Sequence, residues 1–109
     1  MKNNPLMVAT TVYHPMSVDF LLGREYDKEL IENNREQIIQ EILGFKIAIQ
    51  NMAAFIKIIK KSRTKEEANE KLAVKFNLTS HQCEMILSTK LTDITKLNLK
   101  IIQNALASL

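Results

Sequence analysis

From Leu30 to Ile59 the chain repeats its apolar residues in steps of three, four and seven. Ile31, Ile38, Ile42, Phe45 and Ile49 lead into Met52, Phe55, Ile56 and Ile59, with Ile39, Leu43 and Ile47 beside them. That period lays one wide apolar stripe along a helix, and Glu32, Arg35, Glu36 and Gln40 fall on the opposite face. The 109 residues include only 2 glycines and 2 prolines. Strand-and-turn folds need more punctuation than this, so the fold class is all-α. The length suffices for one domain and falls short of two. With no tryptophan, the core is expected to be built from Leu, Ile and Met.

Capping signals divide the chain into one long N-terminal helix and three to four shorter ones. Asp27 is the candidate N-cap of the long helix, and Gly44 and Asn51 are its weak points. Lys57, Lys60 and Lys61 put positive charge near its end, where the helix dipole favours it. Thr64 and Glu67 form a capping-box pattern that starts a helix carrying Ala68, Leu72, Ala73 and Phe76, with Asn77 at its end. Thr79 and Gln82 repeat the pattern for a helix carrying Cys83, Ile86, Leu87 and Leu91. Thr92-Asp93 interrupts it, and Thr95 is placed to cap a last helix with Leu97, Leu99, Ile101, Ile102 and Leu106. Residues 1–24 read differently, as a short irregular arm. Val8 to Val12 is β-prone, Pro15 pushes His14 toward extended geometry, and Gly23 closes the segment. The helical domain is thus expected over residues 25–109.

Charge and side-chain chemistry exclude several function classes. A net charge of +3, from 15 basic and 12 acidic residues, is mixed in sign, so weak or no direct DNA binding is expected. The run Lys57, Lys60, Lys61, Arg63, Lys65 reads as a solvated helix end and loop, and it lacks the interleaved aromatics of single-strand binders. Thr64 to Ser88 has a helix-turn-helix outline, but Gln82, Glu84 and Ser88 are a poor set for reading base edges. His14, His81 and the lone Cys83 do not make a metal set, and residues two apart on a helix cannot form a Cys83–His81 nucleophilic pair. No cofactor and no metal is expected. The single cysteine suits a reducing cytoplasm, and no stretch is apolar enough to span a membrane.

A more specific signal lies in Leu78, Gln82, Cys83, Met85, Ile86, Leu87, Thr89, Leu91, Ile94, Thr95 and Leu97. Upstream stand Ile42, Gly44, Phe45, Ala48, Ile49, Asn51, Met52, Phe55, Ile56, Ile59, Lys60, Ser62 and the run Glu66-Glu67-Ala68. Apolar spacing alone does not produce Gly44, Asn51, Ser62, Glu66-Glu67-Ala68, Gln82 and Thr95 together. In this order and spacing, from residue 42 to about 102, the chain resembles the C-terminal gate of bacterial type IIA topoisomerase A subunits (DNA gyrase and topoisomerase IV). That gate is a small helical head on a coiled coil, and two heads meet across a two-fold to close the exit for transported DNA. The chain departs from the pattern at Lys96, where the family has glycine, and at Asn98, where it has an acid. Cys83 and Met85 replace small residues.

The resemblance implies a gyrase A gate-like fold and a non-catalytic protein–protein module linked to DNA topology. The family's cleavage tyrosine lies in a basic Arg-Tyr motif, and neither Tyr13 nor Tyr26 has such neighbours. The acidic metal cluster and the ATPase glycine loop are missing as well, so no catalytic residue is assigned. A homodimer is expected, with Met85, Ile86, Thr89 and Lys90 on one helix and Ile38 and Ile42 on the long helix as interface candidates. Two other roles stay open: a regulator or decoy that captures a gyrase or topoisomerase IV A subunit, and a non-catalytic piece of a split topoisomerase. A helical bundle with ancestry but no shared role is the bland alternative.

Overall fold

The computed structural model describes residues 15–109. Eight helices occur among them: α1 (Met16–Leu22), α2 (Lys28–Asn33), α3 (Arg35–Gln50), α4 (Met52–Lys61), α5 (Lys65–Phe76), α6 (Ser80–Ser88), α7 (Leu91–Ile94) and α8 (Leu99–Ser108). The all-α expectation holds. The β-prone run Val8 to Val12 lies outside the described residues.

The single long N-terminal helix is corrected to three. Breaks fall at Asn34 and Asn51, and the same device acts at both. Each asparagine donates its side-chain amide to the carbonyl four residues back, Leu30 and Ile47, at 2.8 Å. The side chain thereby competes with the backbone for the helical acceptor. Beyond Asn51 the chain turns so that α3 and α4 make an angle of 89°. This turn lets one continuous apolar stripe serve two faces of a small core. No single helix among the described residues is long and apolar enough to cross a membrane.

Gly44, the other suspected weak point, is no break. It sits inside α3, where α6 crosses closest. A Cβ at position 44 would stand 3.2 Å from both Cβ and Cγ of Gln82. Only glycine lets the two helices approach this far without a shift. Gln82 uses the approach twice. Its Oε1 accepts from the Thr79 backbone N–H at 2.9 Å, completing the capping box of α6, while its Nε2 donates to the Gln40 carbonyl of α3 at 2.7 Å. One buried amide therefore starts one helix and docks it on another.

Asp27 caps α2 through the N–H groups of Glu29 and Leu30. Thr64 caps α5, but Glu67 accepts from the Arg63 N–H at 3.2 Å, one residue before the cap. The last helix is capped by Asn98, whose side chain accepts from Ile101 at 2.9 Å, and not by Thr95. Thr95 instead closes the short α7, donating to the Thr92 carbonyl at 3.2 Å.

Within the stretch read as an irregular arm, residues 1–24, Met16–Leu22 is helical. It packs on α3 and α8, with Val18 and Ser17 fully buried and Leu21 nearly so. Gly23 ends it in the left-handed conformation at φ 72°, where a Cβ would be strained. The Ser17 hydroxyl donates to the Met85 sulfur at 3.9 Å, which carries the core from α1 to α6. Phe45, Phe55, Ile42, Leu72, Met85 and Ile102 are the largest fully buried side chains. They come from α3, α4, α5, α6 and α8, so one core serves the whole fold.

Arg24, just past α1, grips Asp93 of α7 with both guanidinium nitrogens, at 2.6 and 3.2 Å. The hydrogen bonds from Arg24 hold the Asp93 carboxyl below the usual aspartate range. A carboxyl whose pKa is lower in the folded chain stabilises the fold above the unfolded-state value. That contribution disappears as pH falls through the lowered value. Arg24→Gln is therefore expected to lower the urea midpoint at pH 7. It should also flatten the fall in midpoint below about pH 4, the ordinary aspartate value. An equal loss at pH 7 and pH 3 would contradict this role of the pair.

Candidate partner surface

Four of the six interface candidates lie inside the protomer. Met85 and Ile42 are fully buried, and Ile86 and Ile38 nearly so. They belong to the shared core of α3 and α6, and a partner cannot touch them without opening it. The expectation that they face a second chain is corrected on that ground. Sequence periodicity marks an apolar face, and it does not say whether that face meets another helix of the same chain or of another. Thr89 is half-buried and Lys90 exposed, so these two remain at the surface.

They lead to a cleft that the sequence only outlined. α4, the end of α6 and α7 enclose about 210 Å³ between Met52, Ile56, Ile59, Leu87, Leu91 and Ile94, with Phe55 and Ile86 at its floor and Thr89 on its wall. Leu91 is 70% exposed, Ile56 45% and Ile59 41%. Three large aliphatic side chains that share one concavity and remain this open are the mark of a contact surface. The 89° elbow after Asn51 creates it: α4 is swung out of line with α3, so its apolar face overhangs α7 instead of continuing along the core. Thr89 supports the wall by donating its hydroxyl to the Met85 carbonyl at 2.7 Å, which ends α6. Lys90 lies between Thr89 and Leu91 in sequence, and Lys60 follows Ile59; both are exposed.

The titratable groups near α6 have structural partners. Glu41 is buried and accepts from Gln37 Nε2 at 3.0 Å, with His81 Nε2 at 2.8 Å from the same oxygen. Glu84 pairs with Lys65 at 2.8 Å, and the hydrogen bond from Lys65 pulls its carboxyl below the usual range. Burial pushes the Cys83 thiol up, the direction that makes a thiol inert. His14 lies outside the described residues. The cleft's own lining carries no ionisable side chain, so what it offers a ligand is shape and apolar area.

No family model and no solved structure matches the chain. A stretch of 66 residues is 39% identical to the DNA gyrase A chain of Campylobacter jejuni; it covers 61% of the chain described here and 8% of that relative. The chain thus has a gyrase A-related region and spans a small fraction of the relative's length.

Proposed function

We propose that the chain is a non-catalytic protein–protein interaction module that pairs with a second copy of itself in the manner of a topoisomerase exit gate. The observation that carries this reading is the open cleft of Ile56, Ile59 and Leu91, in a chain with a gyrase A-related segment. A two-fold through the cleft sets each copy's Leu91 against the other's α4, the self-complementary arrangement of an isologous dimer. The module acts in DNA topology by holding partners together, in the cytoplasm, and without cofactor or direct DNA contact.

Exposed lysines next in sequence to the cleft residues give this pairing a testable salt signature. With Leu91 of one copy on α4 of the other, Lys90 of one copy comes near Lys60 of the other, and like charges repel most at low ionic strength. Dimerisation is expected to tighten between about 0.05 and 0.5 M salt, as screening shortens the reach of that repulsion. Sedimentation velocity at several salt concentrations checks it. Weakening with salt would mean that opposite charges hold the copies together, against the apolar cleft as the contact.

A second reading rests on the gyrase A similarity itself. The same cleft can accept the matching surface of a gyrase or topoisomerase IV A subunit, forming a mixed pair that holds a gate shut. Adding the chain to gyrase in a supercoiling assay separates the two: self-pairing alone leaves the activity unchanged, and capture inhibits it. Membership in a split topoisomerase predicts neither and requires a second chain that carries the cleavage tyrosine.

A further inference from the structure

One residue joins α3 to α4, and the apolar period passes through the join unbroken. Ile38, Ile42, Phe45, Ala48, Met52, Phe55 and Ile59 follow one another in steps of three and four across Asn51. Such a period fits a single helix from Arg35 to Lys61, which the 89° elbow interrupts. The elbow forgoes hydrogen bonds that the straight helix would make. The N–H groups in the first turn of a helix have no carbonyl of their own helix to reach. In α4 these belong to Met52, Ala53 and Ala54, and the Asn51 side chain caps none of them. It donates backward instead, to the Ile47 carbonyl at 2.8 Å. In a straight helix the three groups would bond to the carbonyls of Ala48, Ile49 and Gln50.

The elbow is held bent by the core between the two parts of the chain that it joins. Before it lie α1–α3 and after it α4–α8. The contacts that tie these parts together cross from one to the other. Gly44 lies against Gln82, and Gln82 Nε2 donates to the Gln40 carbonyl at 2.7 Å. Ser17 donates to Met85 at 3.9 Å, His81 meets Glu41 at 2.8 Å, and Arg24 grips Asp93 at 2.6 Å. Each contact is the same whether the two parts belong to one copy or to two.

We propose that Asn51 is a hinge for exchange between copies. With α3 and α4 straightened into one helix, α1–α3 of one copy close on α4–α8 of another, and the same core is built twice. The closed and exchanged forms differ at the elbow and share the rest of the fold. Exchange is separate from pairing across the cleft, since Met52, Ile56, Ile59, Leu87, Leu91 and Ile94 all follow Asn51 and move as one part. Exchange also requires the core to open. The closed chain therefore persists once folded, and the exchanged dimer forms when the chain is refolded at high concentration.

The test uses the Arg24–Asp93 pair, whose members lie on opposite sides of the hinge. Arg24→Asp sets two carboxylates against each other, and Asp93→Arg two guanidinium groups, in the closed chain and in a dimer of either variant with itself. Both full-length chains also carry Leu91→Glu, which removes pairing across the cleft. Refolded together, they should form mostly mixed dimers, because both crossings then regain an opposite pair. Native mass spectrometry identifies the mixed dimer, which should survive dilution. On the native sequence, Asn51→Ala should raise the exchanged dimer about tenfold, since alanine favours the straight helix and each dimer has two hinges. Ala53→Pro should abolish it and leave a helical monomer by circular dichroism. The ring is tolerated in the first turn of bent α4 and clashes with the Ile49 carbonyl in the straight helix. Only monomers from the refolded mixture, or a mixed dimer that falls apart at once on dilution, would overturn the proposal. So would an exchanged fraction that neither Asn51→Ala nor Ala53→Pro changes.

Discussion

Phe55→Ala is expected to cost about 3–5 kcal/mol, the range for removing a fully buried phenylalanine. Phe55 is 1% exposed and does three jobs from one position. Its backbone N–H donates to the Asn51 carbonyl at 2.9 Å, in the first turn after the elbow. Its ring stacks on Phe76 of α5 with centroids 4.7 Å apart and planes at 28°, which ties α4 to α5. Its edge forms the floor of the partner cleft. Truncation leaves a cavity beneath α4 and removes the ring on which Phe76 stacks. Domains have a total stability of roughly 5–15 kcal/mol, so the loss removes a large share of it, and at the low end of that range the variant unfolds. Equilibrium urea unfolding followed by circular dichroism gives the number. A loss below about 1.5 kcal/mol, the cost of a well-tolerated hydrophobic swap, would mean that α4 is not anchored through this ring.

Leu91→Glu is the largest expected effect on association. The side chain is 70% exposed, so folding should not depend on it, and surface substitutions usually change stability by no more than about 0.5 kcal/mol. In the self-pair it occurs twice, once from each copy, and each time a carboxylate would be buried against Ile56 and Ile59 with no partner. Loss of a central apolar contact costs about 2 kcal/mol or more, and an unpaired buried charge adds to this. The dimer constant should therefore weaken by at least about 30-fold. Leu91→Met, of similar volume and no charge, should leave the constant within a few-fold and serves as the control.

The helical fold was legible because its start signals are local. Asp27, Thr64 and Thr79 each sit one residue before their helix and accept the orphan N–H groups there, and a cap depends on nothing farther away than three residues. Asn98 escaped notice as the last cap because Thr95, three residues earlier, is also a capping residue type. The choice between them is made by the short α7, which uses Thr95 to close itself. α1 carried readable signals in Pro15, in Asp19 of the first turn and in Gly23 at the end. Seven residues are too few for periodicity to speak, however, and α1 is helical because α3 and α8 bury Val18 and Leu21.

The partner surface was legible only in outline. The apolar stripe from Ile31 to Ile59 is continuous in the sequence, and Thr89 and Lys90 are the interface candidates that stay at the surface. Which part of the stripe is surplus depends on the direction of α4 after Asn51, and a sequence gives a break without its angle. An 89° turn leaves Ile56 and Ile59 outside and Ile38 and Ile42 inside; a straight helix would have made the four equivalent. Gly44 and Gln82 show the same gap. Both stand out as residues that periodicity does not explain, and their reason is a contact between two helices far apart in the chain.

The most direct test of gate-like self-pairing is the molar mass of the chain by light scattering after size exclusion, over a range of concentrations, beside Leu91→Glu. A dimer is expected for the native chain and a folded monomer for the variant. A native chain that stays monomeric at the highest concentration, or a Leu91→Glu dimer as tight as the native one, would contradict the pairing.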